Sequence, residues 1–461
     1  MLNVATINIE KIEDYDNFFK KIPPYFKNDS LYHEIINRIG LNCKNIKIEF
    51  PFFDEDFIST YSNYYSLKHR EIKKNCIKLH FFLHNEEYAG FIVLRPLGFH
   101  SKTRTKLDPR LFNDTKNIFI MSNNFKVNIL GEELSVNAFP AIGQDTEISV
   151  CAHAALWTVL RYFSSKYKYR ERLIADIASQ VEEIGIRRTP FSGLTIYDIA
   201  RVLEKNEFTP ILVAKIKDQQ NLFINELYSY MESGLPVIAS VNQNHALTLI
   251  GHGEVDLTLL RQSSEDIIFI SDFINSFIAI DDNYLPYKQI TRTLDGSTKY
   301  HNFDNIDSFI VPLSEKMFLT SKIVREKVKT FLKLEQKVLN LPEKVVVRIF
   351  LTSSSSYKKF IRSNSEITSD LKDQILKVEM PKFIWVTELF IPENYALGKV
   401  SASLIIDSTA GQYDFEPWIL LHDSEKVIYF DIVDGTFKGK PIKNFNIYKM
   451  YISNLDGFGE G

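Results

Sequence analysis

The sequence predicts an α+β protein of more than one domain, and three observations carry that expectation. The chain has 461 residues, about three times what usually fills one domain, so two or three domains are expected. In the middle third, helical patterns come first and a run of strands follows, an order of segregated elements rather than βαβ alternation. In the last third, short apolar runs separated by polar turns predict a mainly antiparallel sheet. The expected domains are 1–135, mixed α and β; 136–315, a helical half followed by an antiparallel sheet; and 316–461, α+β.

The N-terminal domain opens on helical patterns at Tyr15–Phe26 and Ser30–Ile39. Strands are expected at Cys76–Leu83 and Ala89–Leu97, joined as a hairpin by the short polar turn His84–Tyr88. Further strands are expected at Asn117–Met121 and Phe125–Leu130. The segment Glu87–Leu97 resembles a central strand of acetyltransferases, but Gly98–Lys102 after it is not a glycine-rich acetyl-CoA loop.

In the middle domain, Leu156, Val159, Leu160 and Phe163 fall on one helical face, which predicts a helix over Cys151–Tyr167. Helices follow at Glu171–Glu183, from Thr195 (whose spacing to Asp198 is that of a capping box) and at Leu222–Ser233, where Gly234-Leu235-Pro236 breaks the pattern. Strands are expected at Val237–Val241, Ala246–Gly251, Ile267–Ile270 and Phe277–Ile280. In the last domain Ser321–Leu339 predicts a helix and Lys344–Leu351 a strand. Thr352–Ser356 reads as a polar loop. Strands are expected at Phe383–Phe390, Val400–Ile406, Trp418–Leu421 and Val427–Phe430.

Composition narrows the function. Hydrophobic residues make up 45% and charged residues 25%, the balance of a water-soluble protein with sizeable cores. A net charge of -3 offers no general attraction to nucleic acid or to an anionic membrane, so neither is expected as a partner. The three cysteines, Cys43, Cys76 and Cys151, cannot all pair, and none lies in a CxxC, which argues against a disulfide scaffold or a cysteine-rich zinc site. The N-terminal residues place acids where a signal peptide carries bases and an apolar run. No apolar stretch is long enough to span a bilayer. The expectation is a cytoplasmic protein.

The segment Pro140–Phe163, PAIGQDTEISVCAHAALWTVLRYF, carries the chemistry. Cys151 stands at the first turn of a helix, where the positive end of the dipole and free N–H groups favour thiolate. The small residues Ala152, Ala154 and Ala155 leave room for a substrate backbone. Gln144, seven positions upstream, is placed to offer its side-chain amide beside the Cys151 N–H as an oxyanion hole. The base is expected in Gly234–Gly251, where His245 follows the polar turn Asn242-Gln243-Asn244 and starts a core strand. Its orienting acceptor is expected at the end of the next strand, in FIAIDDNYLPY, with Asp281 first and Asp282 as the alternative.

That order of residues resembles the papain-like cysteine peptidase superfamily, closest to the bacteriocin-processing (double-glycine leader) peptidase-like domains. The GQDTEISVCAHAALW run also resembles a group of bacterial proteins with the same arrangement. The resemblance covers about 175 residues and neither flank. It implies a papain-like core, with Gln144 in the oxyanion hole, Cys151 as nucleophile, and His245 and Asp281 completing the triad. No organic cofactor or metal is implied. Three departures stand out. Cys151-Ala152-His153 replaces Cys-Gly-Pro, the Gln-to-Cys spacing is one residue longer than usual, and a charged excursion, Glu254–Asp266, separates the His strand from the Asp strand. The last reads as a surface hairpin.

Simpler roles are expected elsewhere. Cys43 and Cys76 read as small buried hydrophobes. His153, two residues from Cys151, faces another side of the helix and reads as structural. His252 is a competing base at the far end of the His strand. Asp281 and Asp282 also suit a turn before Asn283, and the Phe191–Thr195 loop suits a helix cap bordering the groove. The function expected is an amide hydrolase acting on a protein or peptide, with flanks that restrict access or dock a regulatory protein, as in a regulated effector. The same triad would serve a glutamine deamidase, a transglutaminase or an isopeptidase. A non-catalytic binding or sensing module on the same scaffold is the remaining alternative.

Overall fold

The structure is a computed structural model that describes residues 3–183, 193–217, 219–292, 302–314, 317–334, 340–341, 343–414, 416–452 and 454–458. It is a mixed α+β chain built on three large sheets, almost all of whose pairings are antiparallel. The first sheet is a five-stranded meander of Asn3–Asn8, Cys43–Phe52, Cys76–Leu83, Tyr88–Leu94 and Lys102–Leu107. Its central hairpin is buried on both faces, which is why those two strands are mostly apolar, with Lys78 and His80 as buried exceptions.

The middle sheet runs in the order Lys288–Thr291, Ser276–Ile280, His245–His252, Val237–Val241, Ile306–Leu313, Thr209–Ala214. Two short strands from distant parts of the chain join it. Ile118–Ile120 pairs with Gly251 and His252, and Asp456–Phe458 pairs with Ile118–Ile120. The close crossing needs Gly251. A Cβ there would lie 2.0 Å from the Phe119 carbonyl oxygen and 2.7 Å from Ile120 Cα.

The helix Cys151–Tyr167 lies across this sheet, as its apolar spacing predicts. Leu156, Trp157, Val159, Leu160 and Phe163 are all buried, each worth about 1.5–3 kcal/mol of transfer free energy. Thr248 Oγ1 donates to Ala155 O at 3.4 Å, which seats the helix on the His245–His252 strand. The N-terminal region braces the helix from behind. Buried Asp56 accepts from Trp157 Nε1 at 2.9 Å and from the Ile174 N–H at 3.0 Å. Thr105 and Ala141 exchange backbone bonds of 2.8 and 3.0 Å just upstream of Cys151.

The third sheet orders Ile267–Phe269, Val345–Ser353, Phe383–Phe390, Ala402–Asp407, Trp418–His422, Lys426–Asp431 and Thr436–Pro441. Two expectations are corrected here. The excursion Glu254–Asp266 is no surface hairpin: it folds as the helix Leu257–Gln262 and delivers Ile267–Phe269, which pairs in parallel with Val345–Val347. Nor is Thr352–Ser356 a polar loop. The strand continues to Ser353, whose side chain caps the helix Ser354–Ser363 by accepting from the Ser356 N–H at 3.1 Å. The expected helix from Ser321 is seen to Leu334, and its remainder, 335–339, lies outside the described residues.

Candidate active site

Cys151 is the first residue of its helix and half-buried. The loop leading to it is wound around one carboxylate. Asp145 Oδ1 accepts from the N–H groups of Glu147, Ile148 and Ser149 at 2.9, 2.8 and 2.9 Å. Thr146 takes a left-handed conformation, φ 66, within that turn. Arg95, from the first sheet, donates to the carbonyls of Gly143 and Gln144 and pins the loop from outside.

His153 caps the start of the helix. It is fully buried, and Val150 N–H donates to its Nδ1 at 3.3 Å, so an imidazole does the capping. Burial pushes its pKa down to about 4, against the opposing charge of Asp145. It is therefore a neutral acceptor, in keeping with the structural role expected.

His245 opens its strand after a three-residue turn in which Asn242 and Gln243 adopt φ 49 and 57. Asn242 N–H donates to Asn305 O and Gln243 N–H to Asp307 Oδ2, which fixes the turn. The next strand runs antiparallel with Ile280 opposite Thr248, so the residues after Ile280 run on towards His245. His245 Nε2 lies 3.1 Å from Asp281 Oδ1 and 3.9 Å from Asp282 Oδ1. The imidazole shares its cleft with Cys151. Burial disfavours the imidazolium, but the hydrogen bonds to Asp281 and Cys151 and the charges of both aspartates outweigh it, and the pKa is pushed up to about 11. Asp281 also forms the turn: its Oδ1 accepts from Asn283 N–H at 3.0 Å and its carbonyl from Tyr284 N–H at 3.2 Å. The turn-forming and His-facing readings of Asp281 thus hold together. Burial and the neighbouring Asp281 charge raise Asp282 to about 7.

Cys151 and His245 line one cleft of about 310 Å³. Its walls are apolar, with Leu194, Ile196, Ile199 and Ile238, and its rim carries Ser240, Gln243 and Asn244. Thr195 caps the neighbouring helix through Asp198, as the spacing predicts. Of the loop expected at the groove, Gly193 and Leu194 reach the cleft, while 191–192 lie outside the described residues.

Gln144 is placed differently. It lines a second, polar cavity with Asp282 and Asn283, and its Nε2 donates to Asn283 Oδ1 at 3.2 Å. An amide carries two N–H groups, and this bond uses one. Cys43 and Cys76 are buried, with their thiols pushed up by desolvation, Cys43 to about 12. His252, the competing base, sits at the other end of the strand. Its Nε2 lies 2.7 Å from Glu232 Oε2 and its Nδ1 2.7 Å from Gly253 O. Arg95, Asp56 and Asp145 were not singled out from the sequence. Arg95 and Asp56 act from more than 45 residues upstream of Gln144 with no local motif, whereas Asp145 stood in the quoted segment as a turn-forming residue.

The site is that of a thiol held at a helix start against an imidazole and its carboxylate. No family model, no curated protein and no solved structure matches this chain.

Proposed function

We infer that the protein is a cysteine-dependent amide hydrolase with a papain-like core, acting on a protein or peptide. One observation carries the reading: His245, 3.1 Å from Asp281, lines the same cleft as the thiol of Cys151. In the reaction, the Cys151 sulfur attacks the carbonyl carbon as thiolate, with its proton on His245. The C–N bond breaks as His245 returns that proton to the leaving amine. Water, deprotonated by His245, then attacks the thioester and frees the acid and the thiol. Asp281 holds the imidazole and stabilises its charged form. The Cys151 N–H supplies one oxyanion donor; Gln144, which bonds Asn283 in its own cavity, would supply a second on turning towards the cleft. No cofactor is needed for these steps. The buried His153 cap supports this reading over a non-catalytic module, because it preserves the helix start that the missing Gly-Pro would otherwise provide.

Deamidation, transamidation and isopeptide cleavage share the acyl-enzyme half. Mass-spectrometric comparison of proteomes exposed to wild type and to Cys151→Ala separates them. New chain termini that depend on Cys151 are the expected result. Unit mass increases at glutamine without new termini would replace hydrolysis of peptide bonds by deamidation, and identical proteomes would contradict both.

A further inference from the structure

We propose that His245, Asp281 and Asp282 form a site for a divalent transition-metal ion, Zn²⁺ being the best fit, and that occupancy there silences Cys151. The silencing rests on the reading of Cys151 as nucleophile; the site itself does not. One ligand atom from each of the three residues lies within 4.8 Å of the others. Zinc with bonds near 2.0–2.2 Å in tetrahedral geometry sets its ligand atoms roughly 3.4 Å apart. The distances from His245 Nε2, 3.1 Å to Asp281 and 3.9 Å to Asp282, bracket that spacing.

Asp282 points independently to a ligand. Its side chain is 3% exposed. Among the described residues neither carboxylate oxygen has a hydrogen-bond partner, and Oδ1 faces His245. A buried carboxylate with no donor is costly, and a bound dication lowers that cost. One imidazole and two carboxylates suit a borderline ion better than Mg²⁺ or Ca²⁺, which favour all-oxygen shells. There is also a way in. Asp282 lines the polar cavity of about 250 Å³ that shares no lining residue with the Cys151 cleft. Lys102 lines it too, but its Nζ is bonded to Tyr284 O.

The consequence follows from the two ring nitrogens. An imidazole bound to metal through Nε2 keeps its proton on Nδ1 and has no lone pair left for the thiol proton. Metal would thus arrest the reaction without entering the substrate cleft.

The test uses metal-free full-length protein with Co²⁺ as the spectroscopic probe and Zn²⁺ as competitor. One Co²⁺ per chain, with visible d–d bands, no sulfur-to-cobalt charge-transfer band and displacement by Zn²⁺, is expected. Cys151→Ala should bind with unchanged affinity, and Asp282→Asn at least about tenfold more weakly. If Asp282→Asn does not fold, His245→Ala gives the same readout. Zn²⁺ should slow alkylation of Cys151 in the wild type by about tenfold or more, with EDTA restoring the rate. Absence of Co²⁺ uptake, or an affinity that depends on Cys151, overturns the site. Unchanged alkylation at saturating Zn²⁺ overturns the silencing. If instead Cys151 reacts no faster than Cys43 and Cys76 in metal-free protein, the nucleophile reading fails while the Co²⁺ result stands.

Discussion

The strand His245–His252 carries a histidine–carboxylate pair at each end, and the two pairs have opposite settings. At one end His245 meets Asp281 beside a thiol and an open cleft. At the other, His252 meets Glu232, which Arg348 also holds through Nε at 2.7 Å, and Arg348 in turn reaches Glu388 Oε2 at 2.7 Å and Tyr451 O at 2.6 Å. Arg348 and Glu388 belong to the third sheet, so this network ties that sheet and the chain's end to the middle one. Each polar group there is taken up by another, and Phe119 stacks on the His252 ring. At the His245 end two carboxylates crowd one imidazole, and Asp282 has no hydrogen-bond donor among the described residues. Saturated charge suits a staple; unsaturated charge beside a thiol is the setting that the proposed reaction requires.

Substitution at each end should separate the two roles. His245→Ala should lower amide hydrolysis by about 10²–10⁴-fold, while thermal melting shows a folded protein. His252→Ala should do the reverse, with hydrolysis per folded molecule retained. A large loss of activity from His252→Ala at unchanged stability would erase the distinction. Arg348→Met should be the most destabilising of these changes, by about 3–5 kcal/mol in denaturant unfolding, because it leaves Glu232 and Glu388 buried without their cation. A smaller cost, about 1–3 kcal/mol, is expected for Gly251→Ala, whose new Cβ collides with Phe119 O one residue from His252.

Glu226 sharpens the comparison from a third position. It is buried, and desolvation raises it to about 7, with Lys322 opposing and Glu326 adding to the shift. A carboxyl raised above its unfolded value of 4.5 binds its proton more tightly in the folded state. Its contribution is therefore full below pH 4.5 and is lost as pH rises through about 7. Glu226→Gln should stabilise the protein by roughly 1–2 kcal/mol at pH 8 and hardly at all at pH 4.5, measured by unfolding at both values. Equal effects at the two pH values would show that Glu226 does not titrate this way.

Much of this was legible in the residues. Cys151–Tyr167, Val237–Val241 and Phe383–Phe390 occupy the predicted positions because each is an apolar pattern bounded by polar or breaking residues. The strands Asn3–Asn8, Lys102–Leu107 and Thr436–Pro441 were not, being edge strands whose polar and charged residues hide the alternation. At the candidate site, Cys151, His245 and Asp281 could be picked out because each stands at an element's end. Arg95 and Asp56 could not, since only tertiary packing brings them to the nucleophile's helix and loop. The His252 staple was equally hidden: its arginine is almost a hundred residues away on another sheet.

The most direct test is the rate at which iodoacetamide labels each cysteine in the native, metal-free protein, read by peptide mass spectrometry. The thiol of Cys151 should react at least about tenfold faster than those of Cys43 and Cys76, and His245→Ala should remove most of that advantage while His252→Ala leaves it in place. Equal rates at the three cysteines, or a Cys151 rate indifferent to His245, would contradict the account.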